Sequence, residues 1–198
     1  MPLTAYAKNI AIDAIARGTN PAGYAQYVGL LSADATKSCT AVASTGIFTC
    51  TAHGYSSGDL VVLSALTGGT GFVAGRLYFV SATNLATNTF SLTPIPGGSI
   101  VTGGTDITAG TVGRLVEISG GTYARIATSF AASVNGGDDD STSHVINVPA
   151  GITVAWVGYW TALTAGNLVS AGSVTPEVFA GAGTYTVTDA KIDLNALA

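Results

Sequence analysis

The chain has 198 residues, of which 47% are hydrophobic and only 9% charged, against roughly 25% charged in an ordinary soluble domain. Seven basic and eleven acidic residues leave a formal net charge of -4, which excludes a basic field able to hold a nucleic acid backbone or an anionic membrane surface. Glycine is abundant at 26 residues and long Lys, Glu and Arg side chains are scarce, a composition that predicts many short strands joined by tight turns and hence an all-β chain.

Residues 1–18 are the exception. Leu3, Tyr6, Ala7, Ile10, Ala14 and Ile15 recur at steps of three and four, which predicts a short helix with Thr4 as N-cap and Gly18 as its stop. Lys8, Asp13 and Arg17 interrupt the apolar pattern, so the segment does not read as a secretory signal and synthesis in the cytoplasm is expected. After a turn at residues 20–23, residues 24–32 read as a strand with Tyr24, Gln26, Val28 and Leu30 on one face. Residues 38–43, 47–52, 59–64, 76–81 and 88–93 follow as short strands rich in Val, Ile, Thr, Phe and Tyr. The Gly/Thr-rich residues 96–113 contain at most weak strands. Beyond Arg114, residues 123–133, 144–148, 153–160, 167–171, 184–188 and 191–194 form a more regular run that predicts a β-sandwich. The most apolar stretch, ITVAWVGYW at residues 152–160, is far below the roughly 20 residues a membrane-spanning helix needs. Alternation sets Val154, Trp156, Gly158 and Trp160 against Ala155, Val157 and Tyr159. Both faces are apolar, which predicts either a central strand or a face covered by another subunit.

Certain segments, taken in order, carry a resemblance: MPLTAYAKNIAIDAIARG, YVGLLSAD, ISGGTYARIATSF, VAWVGYWTALTAGNLVSAG and FAGAGTYTVTDAKIDLNA. Together they are similar to a family of small phage tail-fibre or minor tail proteins, over about residues 1–35 and 114–198. The resemblance implies a non-enzymatic structural protein of a bacteriophage virion, an assembly sandwich that includes the N-terminal helix, and a virion location among other virion proteins. Residues 36–113 depart from that pattern. FTCTAHGYSSGDLVVLS and RLYFVSATNLATNTFSL resemble a separate module common in phage tail polypeptides, read as a small β-barrel-like domain inserted into the sandwich at an exposed loop. Decoration of a capsid and recognition of a host-surface glycan through the inserted domain are the alternatives.

Catalytic chemistry finds little to use. His53 and His144 lack a second ligand-type residue at metal spacing, and there is no HxxxH, CxxC or GxSxG; His53 reads as a turn residue and His144 as a strand-edge side chain. Residues 69–74 match a loose GxGxxA, but the strand-like RLYFV that follows offers no helix N-terminus to a pyrophosphate. Asp138, Asp139 and Asp140 could offer oxygens to calcium, yet no glutamate follows at a bidentate position, and the expectation is a solvated loop. Trp156, Tyr159 and Trp160 could stack on a sugar, though aromatics on an apolar strand more often belong to a core. Glu117 and Glu177 have no flanking support as a glycosidase pair. No metal, cofactor or catalytic residue is therefore expected.

Two site expectations remain. A hairpin loop at Ser44 and Thr45 would face Ala43 with Gly46 and set Cys39 opposite Cys50, with a disulfide between them and two reduced thiols both open. The low charge and two-sided apolar strand predict a homo-oligomer, a trimer by analogy with phage appendages, its interface drawn from Tyr6, Ile10, Trp156, Tyr159 and Trp160. Neither nucleic acid binding nor membrane insertion is expected.

Overall fold

The computed structural model describes residues 27–129, 137–140, 142–188 and 190–193, and these are all-β, with no helix among them. The helix expected over residues 1–18, with Tyr6 and Ile10, lies outside the described residues. The chain divides into two compact units, one comprising residues up to Ser32 and from Glu117 onward, the other Ala33–Val116.

Strand β1 (Tyr27–Ala33) precedes the second unit, whose strands are β2 (Lys37–Val42), β3 (Ile47–Thr49), β4 (Leu60–Gly68), β5 (Leu77–Val80), β6 (Thr89–Thr93) and β7 (Ile107–Glu117). Their antiparallel pairings run in a circle: β2 with β3, β3 with β6, β6 with β5, β5 with β4, β4 with β7 and β7 with β2. This is a closed six-strand barrel, and closure removes the free edges an open sheet must protect. Its interior is aromatic at the centre. Phe48 stacks on Phe90 with centroids 5.1 Å apart, and Phe72 meets Phe48 edge-on, with Val61, Leu63, Tyr78, Leu92 and Ile107 filling the remaining space.

Strand β7 departs from the sequence expectation, because residues 107–113 were to be weakly structured and instead form most of an eleven-residue strand. Their small side chains hide the signal. Flanked by β2 and β4, this strand has partners for its backbone on both sides, and Ser64 and Thr111 add a cross-strand hydroxyl contact of 2.7 Å. The β2–β3 turn also differs in detail. It spans Ala43–Gly46, with the Gly46 N–H donating to Val42 O at 2.9 Å, yet the pairs Val42↔Ile47, Ala41↔Phe48 and Thr40↔Thr49 keep the expected register.

In the first unit the remaining strands are β8 (Ile126–Ala127), β9 (Gly137–Asp140), β10 (His144–Val148), β11 (Ile152–Trp160), β12 (Leu168–Phe179), β13 (Gly183–Val187) and β14 (Ala190–Asp193). Strand β11 lies between β1 and β12, β8 pairs with β1, and β10–β13 and β9–β14 form two-stranded sheets. Ile146 and Val148 of β10 and Val187 of β13 share one core with Val28 and Leu30 of β1 and Val154, Val157 and Tyr159 of β11, a sandwich-like layering. The central placement of β11 accounts for its two apolar faces. Two expected spans change here: residues 123–133 supply only the two-residue β8 among those described, and the strand expected over 167–171 continues to Phe179. The continuation carries Thr, Pro and Glu at residues 175–177, which mask a strand in a sequence reading.

Candidate functional site

The first unit carries an open groove of about 430 Å³ lined by residues 117–120, 123–125 and 163–165. Next to its Tyr123 and Arg125, β1 and β11 pair through two facing glycines. Register places Gly29 of β1 opposite Gly158 of β11, and the Trp160 indole lies across both. A Cβ on Gly158 would sit 2.7 Å from the far edge of that ring, and one on Gly29 would sit 3.0 Å from the ring and 2.6 Å from the Tyr123 hydroxyl. Both glycines are therefore space-making residues, and neither needs an unusual backbone conformation to do so.

Arg125 lies over the indole, its guanidinium carbon 4.3 Å from the ring centroid. Nε and Nη2 donate to the two Glu117 carboxylate oxygens at 2.7 and 2.6 Å, while Nη1 donates to the carbonyls of Ala162 and Ala165 at 2.7 and 2.6 Å. Four of the five guanidinium N–H bonds thus have protein acceptors. The Tyr123 hydroxyl accepts from the Leu30 N–H at 3.0 Å and donates to Glu117 Oε1 at 3.1 Å. Burial first, and the nearby Glu117 carboxylate next, push its pKa well above the usual tyrosine value, although the Leu30 N–H opposes them. These bonds hold the 161–166 turn, where Ala165 and Gly166 have positive φ, against β1 and β11. The arrangement is a latch in which the polar groups of Glu117, Tyr123 and Arg125 satisfy one another, while the hydroxyl residues Ser119 and Thr164 line the groove beside it.

The second unit has a smaller hollow of about 390 Å³ beside Ala52–Tyr55 and Leu85–Thr87. His53 lies in the turn after β3, as the sequence led us to expect, but its ring is buried against Tyr55 and Phe90. Nε2 faces the carbonyls of Ala86 and Thr89 at 2.7 and 3.1 Å, and Nδ1 accepts from the Tyr55 N–H at 2.9 Å. Two acceptors on one nitrogen and a donor on the other assign the neutral Nε2–H tautomer.

One sequence expectation is corrected at residues 138–144. Residues 137–140 form strand β9 instead of a solvated loop, and Asp140 is buried; His144, at the start of β10 as expected of a strand-edge residue, is buried as well. Burial alone would raise the Asp140 pKa. The Ser129 N–H at 2.6 Å, the Thr142 N–H at 3.0 Å and His144 Nε2 at 2.9 Å outweigh it and hold the carboxyl down to about 2. No group of three or more metal-ligating side chains occurs among the described residues.

Of the expected interface residues, Tyr6 and Ile10 lie outside the described residues. Tyr159 is fully buried, Trp160 is 6% exposed beneath Arg125, and Trp156 is half-buried. Glu117 is the carboxylate of the latch, whereas Glu177 lies on β12 opposite Val154. Cys39 and Cys50 are both buried in the barrel as free thiols. What sequence reading missed is the convergence of Gly29, Glu117, Tyr123, Arg125, Gly158 and Trp160, of which all but Glu117 lie in YVGLL, GGTYAR and WVGYW. No protein-family model, curated protein or solved structure matches the chain.

Proposed function

We propose that the chain is a non-enzymatic structural component of a bacteriophage virion, most simply a tail-fibre or minor tail protein that works as a homo-oligomer, with a trimer favoured. One observation carries the reading. Gly29, Tyr123, Arg125, Gly158 and Trp160, which fall in three of the five segments that carry the resemblance to tail proteins, belong to one interlocked cluster, which supports reading those segments as a scaffold. The barrel at Ala33–Val116 is a module carried by that scaffold, and the low charge of the chain suits a surface covered by neighbouring virion proteins. Mass spectrometry of separated shell and tail fractions from purified particles, with antibody labelling in micrographs, tests this. Recovery in the tail fraction is expected. Recovery in the shell fraction would transfer the protein to capsid decoration, and absence from particles would overturn the virion reading altogether.

A further inference from the structure

We propose that Cys39 and Cys50 are a cross-strand pair that closes into a reversible disulfide staple inside the barrel wall. Three observations place them together. The observed pairs Val42↔Ile47, Ala41↔Phe48 and Thr40↔Thr49, continued by one residue, set Cys39 opposite Cys50. The same register continued further sets Lys37 opposite Ala52, and there the Lys37 ammonium donates to Ala52 O at 2.5 Å, so the cysteines are bracketed on both sides. Both side chains also point inward, since Cys39 shares the buried face of Ala41 and Cys50 that of Phe48, with exposed Thr40 and Thr49 between them.

The kind of pair matters as much as the register. The Cys50 N–H donates to Asn88 O at 2.9 Å, on the β6 side, so the Cys50 backbone turns away from β2. Cys39 and Cys50 therefore form a non-hydrogen-bonded pair, the type in which Cα atoms approach to about 4.5 Å and side chains are closest. That lies inside the roughly 4.4–6.8 Å that disulfides span.

The oxidant is a low-molecular-weight disulfide such as glutathione disulfide. The Cys50 thiolate attacks one of its sulfurs, forming a mixed disulfide and expelling one small thiol, which takes up the proton Cys50 gave up. The Cys39 thiolate then attacks the Cys50 sulfur and expels the second small thiol, which takes up the proton from Cys39. Two cysteine thiols are oxidised and one small disulfide is reduced to two thiols. Burial pushes the Cys39 thiol up to about 11 and the Cys50 thiol upward as well, with Lys37 partly opposing the shift at Cys50. Reaction consequently requires the hairpin to open, so oxidation of the folded protein is slow and quickens as the barrel is loosened.

The test uses the full chain with excess glutathione disulfide at mildly alkaline pH, in buffer and in urea below the unfolding transition. The expected product is a monomolecular species lighter by two hydrogens, with neither cysteine alkylatable after denaturation and a Cys39–Cys50 linked peptide in the digest. It should form faster in the mild urea, and its barrel should melt about 10 °C higher, since a closed ring of this size is worth roughly 2–3 kcal/mol; dithiothreitol should reverse both changes. Disulfide-linked dimers, mixed disulfides that persist on either cysteine, thiols still alkylatable after exposure in urea, or an oxidised form that melts lower would each overturn the proposal.

Discussion

Arg125 shows how one side chain can stand in for several. It neutralises Glu117, holds two turn carbonyls and caps the Trp160 indole. Removing it leaves Glu117 with only the Tyr123 hydroxyl and takes the arginine donor from two carbonyls. Arg125→Ala is expected to destabilise the first unit by about 2–3 kcal/mol, the usual loss for a broken buried pair being reduced because Glu117 is partly exposed. Arg125→Lys should recover less than half of this, because an ammonium cannot reproduce the planar fork. Both tryptophans of the chain lie in β11, so urea titration followed by indole fluorescence reads this unit selectively. Asp140 supplies the pH dependence. Its carboxyl titrates near 2 in the folded chain against 3.8 for the ordinary group. A depressed carboxylate stabilises the fold fully above the ordinary value and loses that stabilisation as pH falls through the folded one. About 2 kcal/mol should therefore drain away between pH 4 and pH 2, because each tenfold change in proton affinity between the folded and unfolded chain is worth roughly 1.4 kcal/mol. In Asp140→Asn the loss should already be present at neutral pH and the acid slope correspondingly flatter, which unfolding midpoints measured from pH 2 to pH 6 would show.

Among the elements, glycines separate two kinds of constraint. Gly46 has φ +67°, and a Cβ there would collide with Val101 O, whereas Gly54 has φ +72° with open space around it. Gly54→Ala should cost only the left-handed penalty of about 1 kcal/mol, while Gly46→Ala should cost at least about 2 kcal/mol more; thermal melts of the two variants compare them directly. Legibility followed the same division between pattern and environment. Strands with alternating or β-branched residues, such as β10 and β11, were visible almost residue for residue, and the β2–β3 register followed from counting about its turn. Strand β7 was not, because Ala109 and Gly110 carry little strand propensity, residues 107–113 lie in a Gly/Thr-rich stretch, and the strand forms through the partners on its two sides. The latch was hidden for a related reason. Gly29 and Gly158 are informative only once β1 and β11 are paired, and nothing local in GGTYAR says that its arginine lies over a tryptophan thirty-five positions away.

At the scale of the whole molecule, the low charge predicts association. Sedimentation of the purified chain at micromolar concentration is expected to show a homo-trimer, and a well-behaved monomer would count against the assembly role. Each unit has its own apolar cluster, Phe48 and Phe90 at the centre of one, Tyr159 and Val157 within the other. A chain in which a short Gly/Ser linker joins Ser32 to Glu117 should accordingly retain the indole fluorescence and cooperative unfolding of the intact protein, because loop entropy changes only with the logarithm of length. The barrel itself starts and finishes at one point. The Asp34 N–H donates to Arg114 O at 2.8 Å, and the Arg114 guanidinium returns to the Asp34 carboxylate at 2.8 Å. A domain whose two ends touch has, in effect, no privileged beginning. Its ends could be sealed and new ones opened between β5 and β6 to give a circular permutant with the same pairings. For a gene, the same geometry means that a single pair of recombination points can deliver the barrel to any host protein with an exposed loop.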